Sequence, residues 1–478
     1  MRATPLICVA LVCITVFTAI ATATEKTGLF VWSQSIIQGD ADYTADELQQ
    51  QLLTFMDGGG GTAAVDASLE GGRIIQDGAS IHSTCPGGAS TFEQFAAYIG
   101  KVDGAGHRFS LMYSKPNYVS SDQPQIICYV NAFLDLLKDD AVATAGSWTT
   151  NTNDGHPTIE IFLDIEPVLP NDPGALQSNL EALRDVLKAA RDLIDTHNAT
   201  APHVRATLGA VLTIGTIVPP AELPPTSIQI PCPDVSSTDI DCYECALGYL
   251  DRATVLAYRT VNCMYAGGCS DPVCCPIAAG QCTPNADPTK PTGSDGIAFF
   301  AYKVLDKAKS MGKAVSIGLE VHPTDVVGPC RKVSFGFLMG ADGYSSHPAK
   351  RVAYMQNVKK ECVDEMARAH VSGPFDPDAL FTLNDFSGYH CFATGNAWTG
   401  SPQACESVGA SCSGCAPTQA PYVLSGDLNG DGIVDTLDLA ELQSALDTGP
   451  HDTNFDGEVD VFDLLNLISI WGTQYPAP

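Results

Sequence analysis

Between Thr27 and Phe392 short apolar runs alternate with stretches of helical period, and this alternation restricts the possible folds more than any other feature of the chain. The apolar runs are Leu29 to Trp32, Arg73 to Gln76, Arg108 to Tyr113, Ile159 to Asp164, Val204 to Ile214, Thr254 to Tyr258, Ala314 to Leu319, and Leu380 to Leu383 with an extension toward Phe392. Behind the fourth run Leu176, Leu180, Leu183, Leu187 and Ile194 recur at helical spacing. Ile297, Phe300, Val304 and Ala308 do so after the sixth, and Val352, Met355, Val358, Cys362 and Met366 after the seventh. Parallel strands need a crossover between them, and a helix supplies it. Eight such units can close on themselves, so the expected fold class is α/β, a (β/α)8 barrel spanning residues 24–393. An open doubly wound sheet is the competing architecture.

Composition narrows the partners. The formal charge is −30, from 25 basic and 55 acidic residues, which argues against a basic surface for nucleic acid or anionic membranes and favours neutral ligands or cations. Eighteen cysteines point to an oxidising compartment. The first residues agree. Arg2, an apolar run from Leu6 to Ile20 and the small-residue site Ala21-Thr22-Ala23 read as a secretory signal peptide over residues 1–23, which would carry away Cys8 and Cys13. The mature chain is expected to be exported, with no membrane span.

Two stretches, Thr216 to Ala253 and Asn262 to Ser294, are rich in Pro and Cys and lack periodicity, so they are expected as loops over the C-terminal face of the barrel. Cys232, Cys242, Cys245, Cys263, Cys269, Cys274, Cys275 and Cys282 lie in them. Cys242-x-x-Cys245 could open a zinc site, but no second pair follows at finger-like spacing, and disulfides are the expectation.

A Cys-, Pro- and Gly-rich linker is expected over residues 394–421, and a separate module over 422–478. Residues 427–438 and 452–463 both fit a calcium-loop pattern, with oxygen ligands at positions 1, 3, 5, 9 and 12 and Gly at 6. The ligands are Asp427, Asn429, Asp431, Asp435 and Asp438, then Asp452, Asn454, Asp456, Asp460 and Asp463. The main-chain carbonyls of Ile433 and Glu458 complete two Ca2+ shells. Position 12 is Asp in both, and Pro421 and Gly426 leave no entering helix, so these are not full EF-hands. Each loop leads into an exiting helix, Thr436 to Leu446 and Val461 to Trp471. The stretch from Leu424 to Gly472 resembles a type I dockerin domain. The resemblance implies a calcium-loaded tail that tethers an exported enzyme through a cohesin-like or cell-surface partner. Where clostridial dockerins often carry Ser-Thr at positions 10 and 11, this chain has Thr436-Leu437 and Val461-Phe462.

Barrel chemistry sits at the C-terminal strand ends. The fourth run ends in Asp164-Ile165-Glu166, two carboxyls at spacing two and therefore on one face. The sixth ends in Tyr258-Arg259 and the seventh in Glu320-Val321-His322. In strand order and in the pair Glu166 and Glu320, the domain resembles retaining (β/α)8 glycosidases, although Ile165 stands where that group usually has Asn. The resemblance implies Glu166 as acid/base and Glu320 as nucleophile. Arg259 would keep Glu320 ionised, Tyr258 would hydrogen-bond it, Trp32, Tyr113 and Tyr389 would stack on sugar rings, and His390 would bind a hydroxyl. Asp164-Ile165-Glu166-Pro167 with Tyr258 also resembles a shortened form of the signatures of chitinase-like barrels, which implies Glu166 as acid, Asp164 as its support and attack by the substrate's own N-acetyl group. The rival readings are a carbohydrate-binding or scaffold-associated barrel without catalysis, and a barrel hydrolase acting on something other than sugars.

Overall fold

The computed structural model describes residues 27–57, 69, 72–78, 89–138, 158–200, 204–217, 228–257, 297–320, 325–327, 331–332, 380–384, 386–394, 398–399 and 436–445. Eight of its strands form one ring: β1 (Gly28–Val31), β2 (Arg73–Asp77), β3 (Arg108–Tyr118), β4 (Thr158–Pro167), β5 (Arg205–Thr213), β6 (Arg252–Leu256), β7 (Ala314–Leu319) and β8 (Phe381–Leu383). Each pairs with the next in parallel, and β8 returns to β1 through Gly28 opposite Thr382 and Leu29 opposite Leu383. The barrel is therefore closed, with no sheet edge, and the open doubly wound alternative does not occur.

The crossovers carry helices: α1 (Ala45–Met56), α2 (Ala89–Gly104), α3 (Gln123–Leu136), α4 (Pro173–Thr200), α5 (Cys242–Tyr249) and α6 (Ile297–Ser310), with α7 (Phe386–Thr394) after β8. Local chemistry sets their starts. Thr44 and Glu47 form a reciprocal capping box at α1, and Asp172 accepts from the Ala175 amide at α4. Leu176, Leu180, Leu183, Leu187 and Ile194 all lie on the buried face of α4, as their spacing requires.

Alternation along the strands sorts side chains into two cores. Leu29, Ile74, Leu111, Ile161, Leu163, Leu212, Val255, Ile317 and Leu383 pack outward under the helices. Phe30, Ile75, Met112, Phe162, Val211 and Leu256 fill the barrel interior, with Trp32 packed above. The interior is tight. A Cβ at Gly28 would lie 2.8 Å from Thr382 Oγ1, and one at Gly209 would lie 2.7 Å from both Glu160 Oε1 and Phe162 Cδ2, so these strands approach closely only because glycine stands there. Below the apolar layer Glu160 accepts from Arg73 at 2.7 Å and from Ser110 at 2.6 Å, and Arg252 Nε lies 3.5 Å from its other oxygen. The hydroxyls of Thr254, Ser316 and Thr382 link in a row beside this cluster.

Two expectations are corrected. The eighth strand does not run toward Phe392. It stops at Leu383, and the chain turns into α7, on which Phe386, Tyr389 and Ala393 share a buried face. The Thr216 to Ala253 stretch is not all loop, because it contains α5 and a short antiparallel ribbon joining Gln229–Ile230 to Ile240–Asp241. A disulfide between Cys232 and Cys245 pins that ribbon to α5, which removes Cys242-x-x-Cys245 as a zinc pair. Cys242 is a buried thiol that burial pushes up to about 12, an unreactive state. Cys128 on α3 is also disulfide-bonded. A helix (α8, Thr436–Ala445) stands where the first exiting helix of the C-terminal module is expected, with Leu442 buried. Among the described residues no helix is long and apolar enough to cross a membrane.

Candidate active site

The strands place Asp77, Ser114, Asp164, Glu166, Glu320 and Asn384 on the inward face, where each continues the alternation of the interior core. On β4 the inward positions are Glu160, Phe162, Asp164 and Glu166. The first two belong to the barrel floor and middle, and the last two stand at the mouth. Asp164 is buried and accepts from Ser114 Oγ at 2.7 Å, a partner at the matching position of β3. Burial pushes its carboxyl up to about 6, with the Ser114 hydrogen bond acting against that rise. Glu166 is part-buried, and burial together with the charge of Asp164 pushes it up to about 7. It makes no hydrogen bond or ion pair with the described residues.

Across the ring Glu320 follows β7. It is buried and accepts a hydrogen bond from Asn384 Nδ2, just beyond β8. Trp32 Nε1 donates to the backbone oxygen of Asn384 at 2.8 Å, so β1, β7 and β8 are tied together at their tops. Trp32 lies nearly parallel to Phe30, with ring centroids 6.0 Å apart, and is part-buried. Between these two groups Gln34 donates to Asp77, at 2.8 Å to its backbone oxygen and 3.2 Å to Oδ2. The mouth thus holds four carboxyls, an indole and three neutral polar side chains.

The expected binding residues divide. Trp32 lies at the mouth. Tyr113 does not: it falls on the outward parity of β3, is 2% exposed and packs on Tyr129 of α3 at 4.8 Å between centroids. Tyr389 is fully buried on α7 against Phe55, and His390 beside it lies 5.0 Å from the same Phe55 ring. Tyr113 and Tyr389 belong to the packing between strands and helices and offer no face to a ligand at the mouth, and His390 is part-buried beside them. Tyr258, Arg259 and His322 lie outside the described residues, as do the second calcium loop and the first up to Asp435, while its last three residues, Thr436 to Asp438, fall on α8. Among the described residues no group of three or more His, Cys, Asp or Glu side chains is gathered as a metal site. Asn384, Ser114, Gln34 and Asp77 were not anticipated. Their only signal is position: Ser114, Asp77 and Asn384 lie two residues beyond an inward-facing neighbour on their strands, and Gln34 follows shortly after β1.

No family model matches the sequence, and no curated protein matches it. Solved structures similar to the chain include a chitinase from Cycas revoluta, at 11% identity and a TM-score of 0.35 over 77% of this chain and 97% of that one. Others are a class V chitinase from Nicotiana tobaccum (10%, 0.32, covering 65% and 72%) and an endo-beta-1,4-mannanase from Cellulomonas fimi (13%, 0.31, covering 76% and 73%). An engineered protein aligns at 10% identity and 0.36, and the chain spans about two thirds of its length, 64%. The barrel assignment rests on the strand pairing itself. What the fold and mouth define is a closed parallel barrel with a carboxyl-lined C-terminal opening.

Proposed function

We propose that the chain is an exported glycoside-hydrolase-like enzyme that cleaves glycosidic bonds in an oligosaccharide or polysaccharide. The observation that carries this reading is the contrast between two inward carboxyls at one mouth. Glu166 is raised to about 7 and makes no polar contact with the described residues, as suits a general acid. Glu320 accepts from an amide, as suits a group used as an anion. Glu166 gives its proton to the leaving glycosidic oxygen while Glu320 attacks the anomeric carbon. Water then displaces Glu320, with Glu166 taking the proton back. Trp32 supplies an apolar face for a sugar ring.

A second reading keeps Glu166 as acid and lets a substrate N-acetyl oxygen attack, with Asp164 in support. The observation favouring it is that Asp164 shares Glu166's face and its charge is one cause of Glu166's rise. Release of reducing ends from a panel of β-glucans, mannans and chitin oligosaccharides tests the proposal and separates the readings. Both require that Glu166→Gln lose turnover. Only the first requires that Glu320→Gln lose it on every substrate. Full activity in both variants would mean that other residues carry the catalysis, and an inactive parent would leave a binding protein or a different hydrolase.

The C-terminal module is proposed as a calcium-dependent anchor for a cohesin-like or cell-surface partner. Its donor set is entirely oxygen, from Asp427, Asn429, Asp431, Ile433, Asp435 and Asp438 and from Asp452, Asn454, Asp456, Glu458, Asp460 and Asp463, which suits a hard cation. Chelation is expected to lower the helical circular dichroism signal of the full chain and added calcium to restore it. An unchanged signal would contradict the module.

A further inference from the structure

We infer that Asn384 is a positioning residue that orients the Glu320 carboxylate, and that Trp32 acts on it in turn; this rests on the proposed role of Glu320. A carboxylate oxygen only accepts, so the side-chain nitrogen of Asn384 is the atom that faces Glu320 Oε2. Asn384 lies beyond a strand of three residues, Phe381–Leu383, and its own amide donates to Leu319 O at 2.8 Å. Its carbonyl is held from the other side by the Trp32 indole at 2.8 Å. Asn384 is thus fixed at its amide, its carbonyl and its side chain, by β7, β1 and Glu320 respectively. A rotation about the β8 terminus would move the donor away from Glu320, and the indole hydrogen bond opposes that rotation. The same indole is the apolar face at the mouth. A sugar ring seated on Trp32 therefore rests on the residue that braces the nucleophile's partner, and ligand contact and carboxylate orientation share one rigid element.

The chemistry requires such a brace. Glu320 must present one oxygen in line with the anomeric carbon, and a misplacement of about 1 Å can cost about 100-fold in rate. Asn384→Asp keeps the shape and replaces the donor with a carboxylate that repels Glu320. With the full chain and whichever glycan proves to be a substrate, the expected result is a fall in kcat of about 100-fold, with KM within about threefold. Trp32→Phe keeps the ring and loses the N–H. It is expected to lower kcat by roughly threefold to tenfold and to cost nothing further in an Asn384→Ala background, because its effect passes through Asn384.

Glu320→Gln is the control arm. If it is inactive while Asn384→Asp keeps kcat within about threefold of the parent, the positioning role is overturned and the proposed function stands. If Glu320→Gln is active, the positioning role falls together with the reading of Glu320 as nucleophile, and only attack by a substrate N-acetyl group is left for the proposed function. Should the Asp variant not fold, Asn384→Ala removes the donor without adding charge, and a kcat unchanged there is equally decisive against the inference. A loss in KM alone, or additive losses in the double variant, would make Asn384 and Trp32 separate binding contacts and would also overturn it.

Discussion

Glu166→Gln is expected to lose turnover and, at the same time, to be the more stable protein above neutral pH. The rate follows from the proposed acid role, since removing a general acid costs about 10²–10⁴-fold. In the parent chain kcat/KM is expected to fall as pH rises through about 7, where Glu166 gives up its proton. That limb is expected to be missing from whatever activity the variant retains.

The stability effect follows from the same burial, and its sign is fixed by linkage. The folded-state value of Glu166 is raised above the value of an exposed glutamate, so between about pH 4 and 7 the folded chain binds more protons than the unfolded one. Stability is fully present below about pH 4 and is lost as pH rises through about 7. Gln cannot ionise, so it escapes this loss. Glu166→Gln is expected to exceed the parent by on the order of 1 kcal/mol at pH 8, and to match it at pH 4. Thermal melts at the two pH values read the difference directly. Asp164→Asn is expected to behave the same way, with its transition lower, near 6. An active Glu166→Gln, or an advantage equal at pH 4 and pH 8, would contradict the account.

The largest stability loss is expected at the opposite end of the same strand face. Glu160 and Glu166 both point into the barrel, six residues and therefore roughly 20 Å apart. Glu160 meets two guanidiniums, Arg73 at 2.7 Å and Arg252 at 3.5 Å, and the Ser110 hydroxyl. Arg73 is 2% exposed and also lies over the Phe162 ring at 5.6 Å. Glu160→Ala would leave two positive charges in the barrel floor without their counter-ion, which costs about 3–5 kcal/mol. Replacing Glu160 and Arg73 together with Leu and Met is expected to recover part of that loss, because the apolar pair needs no partner there while Arg252 still loses Glu160. Urea unfolding of the single and double variants measures both. A Glu160→Ala chain within about 1 kcal/mol of the parent would mean the cluster is hydrated and the floor open. Carboxyls at the lower end of a barrel thus serve the fold, and those at the upper end are free to serve a ligand.

How much of this was legible follows from what sequence patterns encode. Strand positions were readable because parallel barrel strands are buried on both faces and appear as unbroken apolar runs. That same uniformity hides which face each residue takes. Nothing in Arg108 to Tyr113 says whether Met112 or Tyr113 points inward, and the structure puts Met112 in the interior and Tyr113 under the helices. Asp164 and Glu166 were legible as a pair because spacing two fixes a shared face whatever its direction. The eighth apolar run continues through aromatic residues, so its pattern extends the strand over Tyr389 and His390, which the structure places on α7. Phe386, Tyr389, His390 and Ala393 in fact recur at spacings of three and four, the helical period. Asn384 carried no such signal. Its role depends on β8 and β7 standing side by side, a long-range pairing of Leu383 with Leu319 that local pattern does not contain.

The most direct test of the central claim is the separation of the Glu166 and Glu320 carboxyls in a crystal structure with an oligosaccharide bound. A sugar ring is expected against Trp32, with the two carboxyls on either side of one glycosidic oxygen, about 5–5.5 Å apart for a retaining enzyme. Carboxyls more than about 10 Å apart, or a glycan bound elsewhere on the chain, would contradict it.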